Sequence, residues 1–203
     1  MDSWSLIARV IVILLCFPIH ESAHAWVADQ LGDATGRLHG RISLNPKRHL
    51  DLWGTIMIFV AGFGYAKPVP VNPYNFKDPK KGMALTAAAG PASNLIMAVV
   101  FLILARMIPG GSFDMLFQCL FLASYINISL AVFNLFPFPP LDGSKIAAIV
   151  LPDHLYNRFL SLGRYSILIL WGGLYLLGEI GLSPISFFAD LIFRALISVT
   201  FFT

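Results

Sequence analysis

His20-Glu21-Ser22-Ala23-His24 places two imidazoles four residues apart. On a helix they share one face, one turn apart, as two ligands of a single ion must. Glu21, beside them, can take a proton from a water activated by that ion. Glu21 and Glu179 are the chain's two glutamates and it has five histidines. Shuffling this composition yields such a pentapeptide in roughly one chain in a thousand, so chance is a poor account of it. Residues Leu6 to Val27 are otherwise almost all apolar. Ionisable groups at membrane depth are costly, so three together point to function rather than to two satisfied histidines in a bundle.

A catalytic zinc usually has three protein ligands and one open position. The third should be His, Asp or Glu. Glu179 lies near the end of a later apolar stretch. Asp142 is the better candidate: it follows the proline-rich break Phe136–Gly143 (FPFPPLDG), and Gly143 permits a sharp turn. Irregular backbone at membrane depth is tolerated where protein or a water-filled cavity covers it, which marks this break as a place for a site. The competing reading makes Asp142 the N-cap of a helix over Gly143–Val150.

The elements that must carry these residues are membrane helices. Of 203 residues, 57% are hydrophobic and 12% are charged. A soluble domain carries about 25% charge, so the chain reads as an α-helical polytopic membrane protein. Spanning-length apolar runs occur over Leu6–Val27, Met83–Ile108, Met115–Phe136, Gly163–Gly178 and Pro184–Phe202, the last two marginal against the ~20 residues a span needs. Trp53–Ala66 is shorter and Gly-rich, which suits a re-entrant element or a strand pair. Gly36–Asn45 suggests a short strand or hairpin near the membrane surface, with Gly40–Leu44 as an edge to which an extended peptide can add. The expectation is five to six transmembrane helices with one re-entrant or β-hairpin element after the first. Residues 1–203 read as a single domain, with a core over about 5–150 and two C-terminal helices over about 163–202. The first run is too long for a signal-peptide core and lacks a small-residue exit, so it is not a cleaved leader.

The net charge of +3 and the lack of any basic patch argue against nucleic acid. Cys16 and Cys119 lie in apolar stretches and read as small buried hydrophobes. His39, His49 and His154 lie in loops and read as surface or interfacial residues.

Three motifs together resemble the site-2 protease family of intramembrane zinc metalloproteases. They are HESAH in the first span, Gly90-Pro91-Ala92-Ser93-Asn94 in a later one, and the segment from Asn134 to Gly143 (NLFPFPPLDG) at the end of the next. RISLNP and AKPVPVNP extend the likeness to the family's small bacterial branch, over residues 15 to 150. The resemblance implies one Zn²⁺ held by His20, His24 and Asp142, with Glu21 as the catalytic carboxylate. It gives Asn134 a hydrogen bond to substrate backbone or to the developing oxyanion. The residue itself equally suits an interhelical hydrogen bond. Asn94 is the weaker substrate-binding candidate, with helix packing beside Gly90 and Ala92 favoured. The implied reaction is peptide-bond hydrolysis in or near transmembrane segments of membrane proteins, including signal-peptide remnants. The alternatives are a membrane metal-ion transporter and a catalytically inactive membrane-protein-binding homologue. A transporter would normally show internal repeats, and an inactive homologue need not retain Glu21.

Geometry adds a topology. His20 lies ~21 Å along the first span, nearer its far face. Asp142 follows the far end of the span starting at Met115. For these to meet, the two spans must run in the same direction, with Met83–Ile108 alone crossing between them. That arrangement puts Arg37, Arg41, Lys47, Arg48, Lys67, Lys77, Lys80, Lys81, Lys145, Arg158 and Arg164 on one side, out of 14 Lys and Arg in all. The expectation is therefore a bacterial cytoplasmic-membrane protein whose site opens to the cytoplasm.

Overall fold

Pro18 has no N–H to give the helix, and its ring crowds the carbonyl one turn back. The first span answers with a local widening. Ser3–Ile11 (α1) runs through a π turn, Val12–Cys16, into Phe17–Gln30 (α2), and the Phe17 N–H donates to the Val12 carbonyl. Such bulges rotate the following helix relative to the preceding one, here one turn before His20.

The computed structural model describes residues 2–51, 53–54, 67–109, 114–152, 154, 156 and 165–201. Beyond α2 come a helical turn at Thr35–Leu38 (α3), Pro79–Arg106 (α4), Met115–Leu135 (α5), Asp142–Ala147 (α6), Ser166–Glu179 (α7) and Pro184–Phe201 (α8). Among the described residues, four helical stretches are long and apolar enough to cross a membrane: Ser3–Gln30, α4, α5 and α8. This is an integral membrane protein. The remaining expected span, Gly163–Gly178, is represented by α7, whose 14 residues rise ~21 Å against a hydrocarbon core of ~30 Å. Apart from Trp53 and Gly54, the expected re-entrant element Trp53–Ala66 lies outside the described residues.

Two expectations for the segment after α2 are corrected. Gly36–Asn45 is not a hairpin, and no strand occurs among the described residues. Its backbone is instead engaged by side chains. Ser43 donates its N–H to Ser22 Oγ, and its carbonyl accepts from Ser22 Oγ and His49 Nε2, both at 2.6 Å. His49 is consequently not a surface residue; it is fully buried. His39 and His154 are exposed, as expected.

The helix entering at Pro79 starts earlier than the apolar pattern suggests. Asp78 caps it by accepting from the Lys81 N–H, and Pro79 supplies the preset φ of a first helical turn. Upstream, fully buried Asp33 ties two loops together. It accepts from the Thr35 N–H and hydroxyl, the Asn72 N–H (2.7 Å) and Asn75 Nδ2 (2.7 Å). Burial works against its charge, but these donors outweigh it and hold the carboxyl below the usual carboxylate range.

Small residues let the spanning helices close on one another. Ala8, Val12 and Cys16 pack with Phe101 and Ala105 of α4 and with Cys119, Leu120 and Ala123 of α5. Both cysteines are free and buried. Ala98, Ile128, Val132 and Ala189 join α4, α5 and α8, and the Ser124 hydroxyl donates to the Ala98 carbonyl at 2.9 Å. The starts of α1 and α5 thus meet the end of α4. The first span and α5 run parallel, with α4 antiparallel between them. That is the arrangement which brings α2, the start of α4 and the residues after α5 to one end of the bundle.

Candidate metal centre

HESAH spans the end of the first turn and the second turn of α2, so His20 and His24 project from one face toward α4. The chain after α5 turns sharply at Phe136 and restarts as α6 at Asp142. Gly143 is needed there for space: a Cβ would lie 2.2 Å from the Leu135 carbonyl oxygen and 2.4 Å from that of Phe136. The restart aims Asp142 back into the bundle. Its Oδ2 lies 3.4 Å from His20 Nε2 and 3.2 Å from His24 Nε2, and the two Nε2 atoms are 3.0 Å apart. All three side chains are buried. Asp142 does not cap α6; that position is Leu141, and no side chain bonds there.

Two nitrogens and one oxygen at these separations outline one face of a small tetrahedron. An ion with bonds of ~2.0–2.1 Å to its ligands has edges of about 3.3 Å, so the donor set fits a tetrahedral zinc with a fourth position open. His24 Nδ1 lies 2.7 Å from the Thr86 carbonyl oxygen. A carbonyl only accepts, so Nδ1 carries the proton and Nε2 presents its lone pair to the centre. His20 Nδ1 is buried with no hydrogen-bond partner among the described residues. Asp142 divides its oxygens: Oδ2 faces the histidines and Oδ1 lies 3.6 Å from Lys145 Nζ.

The backbone of α4 comes up against the two imidazoles at Gly90, where a Cβ would lie 2.4 Å from His24 Nε2 and 2.5 Å from His20 Nε2. Thr86, Gly90 and Asn94 recur every four residues on the face of α4 turned to the site, and all are buried. Ala92, two residues on from Gly90, is exposed, so it does not share Gly90's role in letting the helices approach.

A cavity of about 470 Å³ opens onto the three ligand candidates. Glu21, Asn94, Asn134 and Lys145 line it together with Pro68, Val69 and Val71. Asn134 uses one amide hydrogen on the Leu130 carbonyl at 2.9 Å, which leaves a second hydrogen and Oδ1 for other partners. Asn94 is almost fully enclosed and its Oδ1 has no hydrogen-bond partner among the described residues. Glu179, in α7, is not among the cavity's residues.

Sequence reasoning did not single out Thr86; it named Lys145 only for its charge and Pro68–Val71 only within the AKPVPVNP likeness, neither as part of the site. The four-residue recurrence through Gly90 points to Thr86. A backbone carbonyl, however, carries no residue identity that would mark it as a partner of His24.

A model of Peptidase family M50 matches residues 8–115 and 107–172. A Bacillus subtilis protein named "Putative zinc metalloprotease YwhC" is 39% identical over 167 residues, covering 79% of this chain and 76% of that one. Two proteins bearing the same description are also similar. Rip2 of Mycobacterium tuberculosis is 30% identical over 139 residues, 65% of this chain and 52% of its own length. MJ0611 of Methanocaldococcus jannaschii is 36% identical over 96 residues, 46% and 48% of the two chains. No solved structure matches the chain. With the family match running through the HESAH helix, Gly90 and Asp142, the chain belongs to peptidase family M50, the site-2 protease family its motifs resemble.

Proposed function

We propose that this chain is an intramembrane zinc endopeptidase that hydrolyses peptide bonds in or near the transmembrane segments of membrane proteins, signal-peptide remnants included. One observation carries the reading: His20, His24 and Asp142 bring three ligand atoms within 4.8 Å of one another, on a cavity that Glu21 also lines. The relatives' zinc metalloprotease description supports the same metal and the same reaction.

His20, His24 and Asp142 would hold the ion. When bound, zinc supplies Lewis acidity toward a peptide carbonyl and toward water. Glu21 accepts the proton of the attacking water and passes it to the leaving amine. The cavity must take an unwound stretch of substrate, because a helical amide shields its carbonyl. Unwound backbone at membrane depth needs partners for its N–H and C=O groups, and the unused hydrogen and Oδ1 of Asn134 offer both. A purified preparation should cleave a transmembrane test substrate, lose that activity to a chelator and regain it with zinc. Cleavage indifferent to chelation would remove the metal from the reaction.

Asn134→Ala should keep its zinc and lose between about 5- and 150-fold in kcat/KM, the equivalent of about 1–3 kcal/mol for one hydrogen bond to desolvated backbone. Wild-type kinetics in that variant would reduce Asn134 to its helix bond with Leu130.

The basic residues around α3 and before α4 argue that the cavity opens to the cytoplasm of a bacterial cell. Single cysteines at Lys47 and Lys80, in a background lacking Cys16 and Cys119, should label from the cytoplasmic face, and Ser112→Cys from the opposite one. Labelling of positions 47 and 80 from opposite faces would mean that the chain between them crosses the membrane.

A further inference from the structure

Arg41 is 8% exposed. Arginines are seldom this buried without an acidic partner in direct contact, and its bonds go to main-chain carbonyls instead. One Nη donates to the Arg48 carbonyl at 2.6 Å and the other to the Lys67 carbonyl. The Lys67 N–H in turn donates to the His49 carbonyl at 2.7 Å. Both ends of the chain between residues 49 and 67 therefore meet at one point, joined by that main-chain bond and by the Arg41 guanidinium.

That point is tied to the catalytic helix on one side and to the cavity on the other. Ser22, next to Glu21, donates its hydroxyl to the Ser43 carbonyl at 2.6 Å, with the Arg41 carbonyl at 3.3 Å. Immediately past Lys67, Pro68, Val69 and Val71 line the cavity that Asn134 also lines. Val69 and Ala25 of the catalytic helix both flank Gly36: a Cβ there would come 3.3 Å from Val69 Cγ1 and 3.1 Å from Ala25 Cβ. A wall of extended, proline-rich chain has no helical or sheet ladder of its own. It holds its place through its anchors.

We propose that Arg41 is a positioning residue: by bonding the Arg48 and Lys67 carbonyls together it seats the Pro68–Val71 wall against the catalytic helix, and so sets how tightly an unwound substrate is held beside Glu21. The kinetic part of this rests on the endopeptidase reading; the structural part does not. A guanidinium is suited to the task because its rigid fork spans two acceptors, whereas a lysine ammonium is a single point.

The test uses the full-length protein. Arg41→Ala should keep its zinc and raise KM about tenfold, with kcat within about threefold, because the ligand set is untouched and Glu21 keeps its carboxylate and loses only a through-space charge partner. Arg41→Lys should fall between it and the wild type. In a background lacking Cys16 and Cys119, Pro68→Cys should react severalfold faster with a water-soluble maleimide once Arg41→Ala is added. If Arg41→Ala does not accumulate, Arg41→Gln and Arg41→Lys carry both measurements. Loss of zinc, a fall in kcat at unchanged KM, or wild-type KM in these variants would each overturn the proposal. So would unchanged reactivity at position 68, a measurement that needs no cleavage. A wild-type protein that cleaves nothing would sink the endopeptidase reading alone and leave the labelling arm to decide the role of Arg41.

Discussion

Glutamine in place of Glu21 should leave about one zinc per chain and lower cleavage by about 10²–10⁴-fold, the usual worth of a positioned general base. The two halves of that expectation have separate physical origins. Glu21 shares the cavity with His20, His24 and Asp142, but the close set of ligand atoms is drawn from those three. The amide is nearly isosteric with the carboxylate and cannot accept the proton. His24→Ala and Asp142→Ala should behave differently. Each removes a donor from a three-donor set, so zinc and activity should fall together. Asp142→Ala also removes the negative charge from the set. Zinc content by atomic absorption, measured beside cleavage on the same preparations, distinguishes the two patterns. Equal zinc loss in Glu21→Gln would make Glu21 a ligand, and the roles assigned here would have to be exchanged.

The metal ligands were legible because their chemistry is tied to side-chain type. Two histidines at helical spacing name their own geometry. Asp142 stood out among the acidic residues because it follows a proline-rich break at the end of a span, with Gly143 beside it, whereas Glu179 lies near the end of a later apolar stretch. The parallel arrangement of the first span and α5 followed from requiring Asp142 to reach those histidines. Residues acting through backbone or bare space were much harder to read. The Thr86 carbonyl that fixes the His24 tautomer is the same atom in every residue type. Gly143 was expected to serve a sharp turn; its actual constraint is the pair of carbonyls from Leu135 and Phe136 pressed against it. The hairpin expected over Gly36–Asn45 failed for a related reason. An alternating apolar pattern cannot tell a strand paired with another strand from an extended segment bonded to side chains, here those of Ser22 and His49. His49 was read as a loop residue and Arg41 as part of the strand-like edge Gly40–Leu44, and the burial of both depends on contacts between segments distant in sequence.

Gly90→Ala should cost zinc binding at least as severely as loss of an outer-shell partner, roughly 10–100-fold in affinity, and cleavage should fall with it. The argument is steric. The new methyl would sit 2.4 Å from His24 Nε2 and 2.5 Å from His20 Nε2, well inside the ~3.5–4.0 Å at which nonbonded atoms rest. Side-chain tips can often swing aside, but these two have little room. His24 is held through Nδ1 by the Thr86 carbonyl at 2.7 Å, and both rings are buried against α4. Relief must come from rotating the imidazoles away from Asp142 or from pushing α2 off α4, and either change opens the 3.0–3.4 Å triangle of ligand atoms. Alanine favours the helix over glycine by about 1 kcal/mol, so the variant should still fold and insert. Ala92→Leu is the matched control: Ala92 is exposed, and extra bulk there should leave zinc and cleavage near wild type. Zinc competition against a chromogenic chelator reads the affinity without any substrate. A Gly90→Ala protein with wild-type zinc affinity would show that α2 and α4 stand farther apart at this crossing than the 2.4–2.5 Å approach requires.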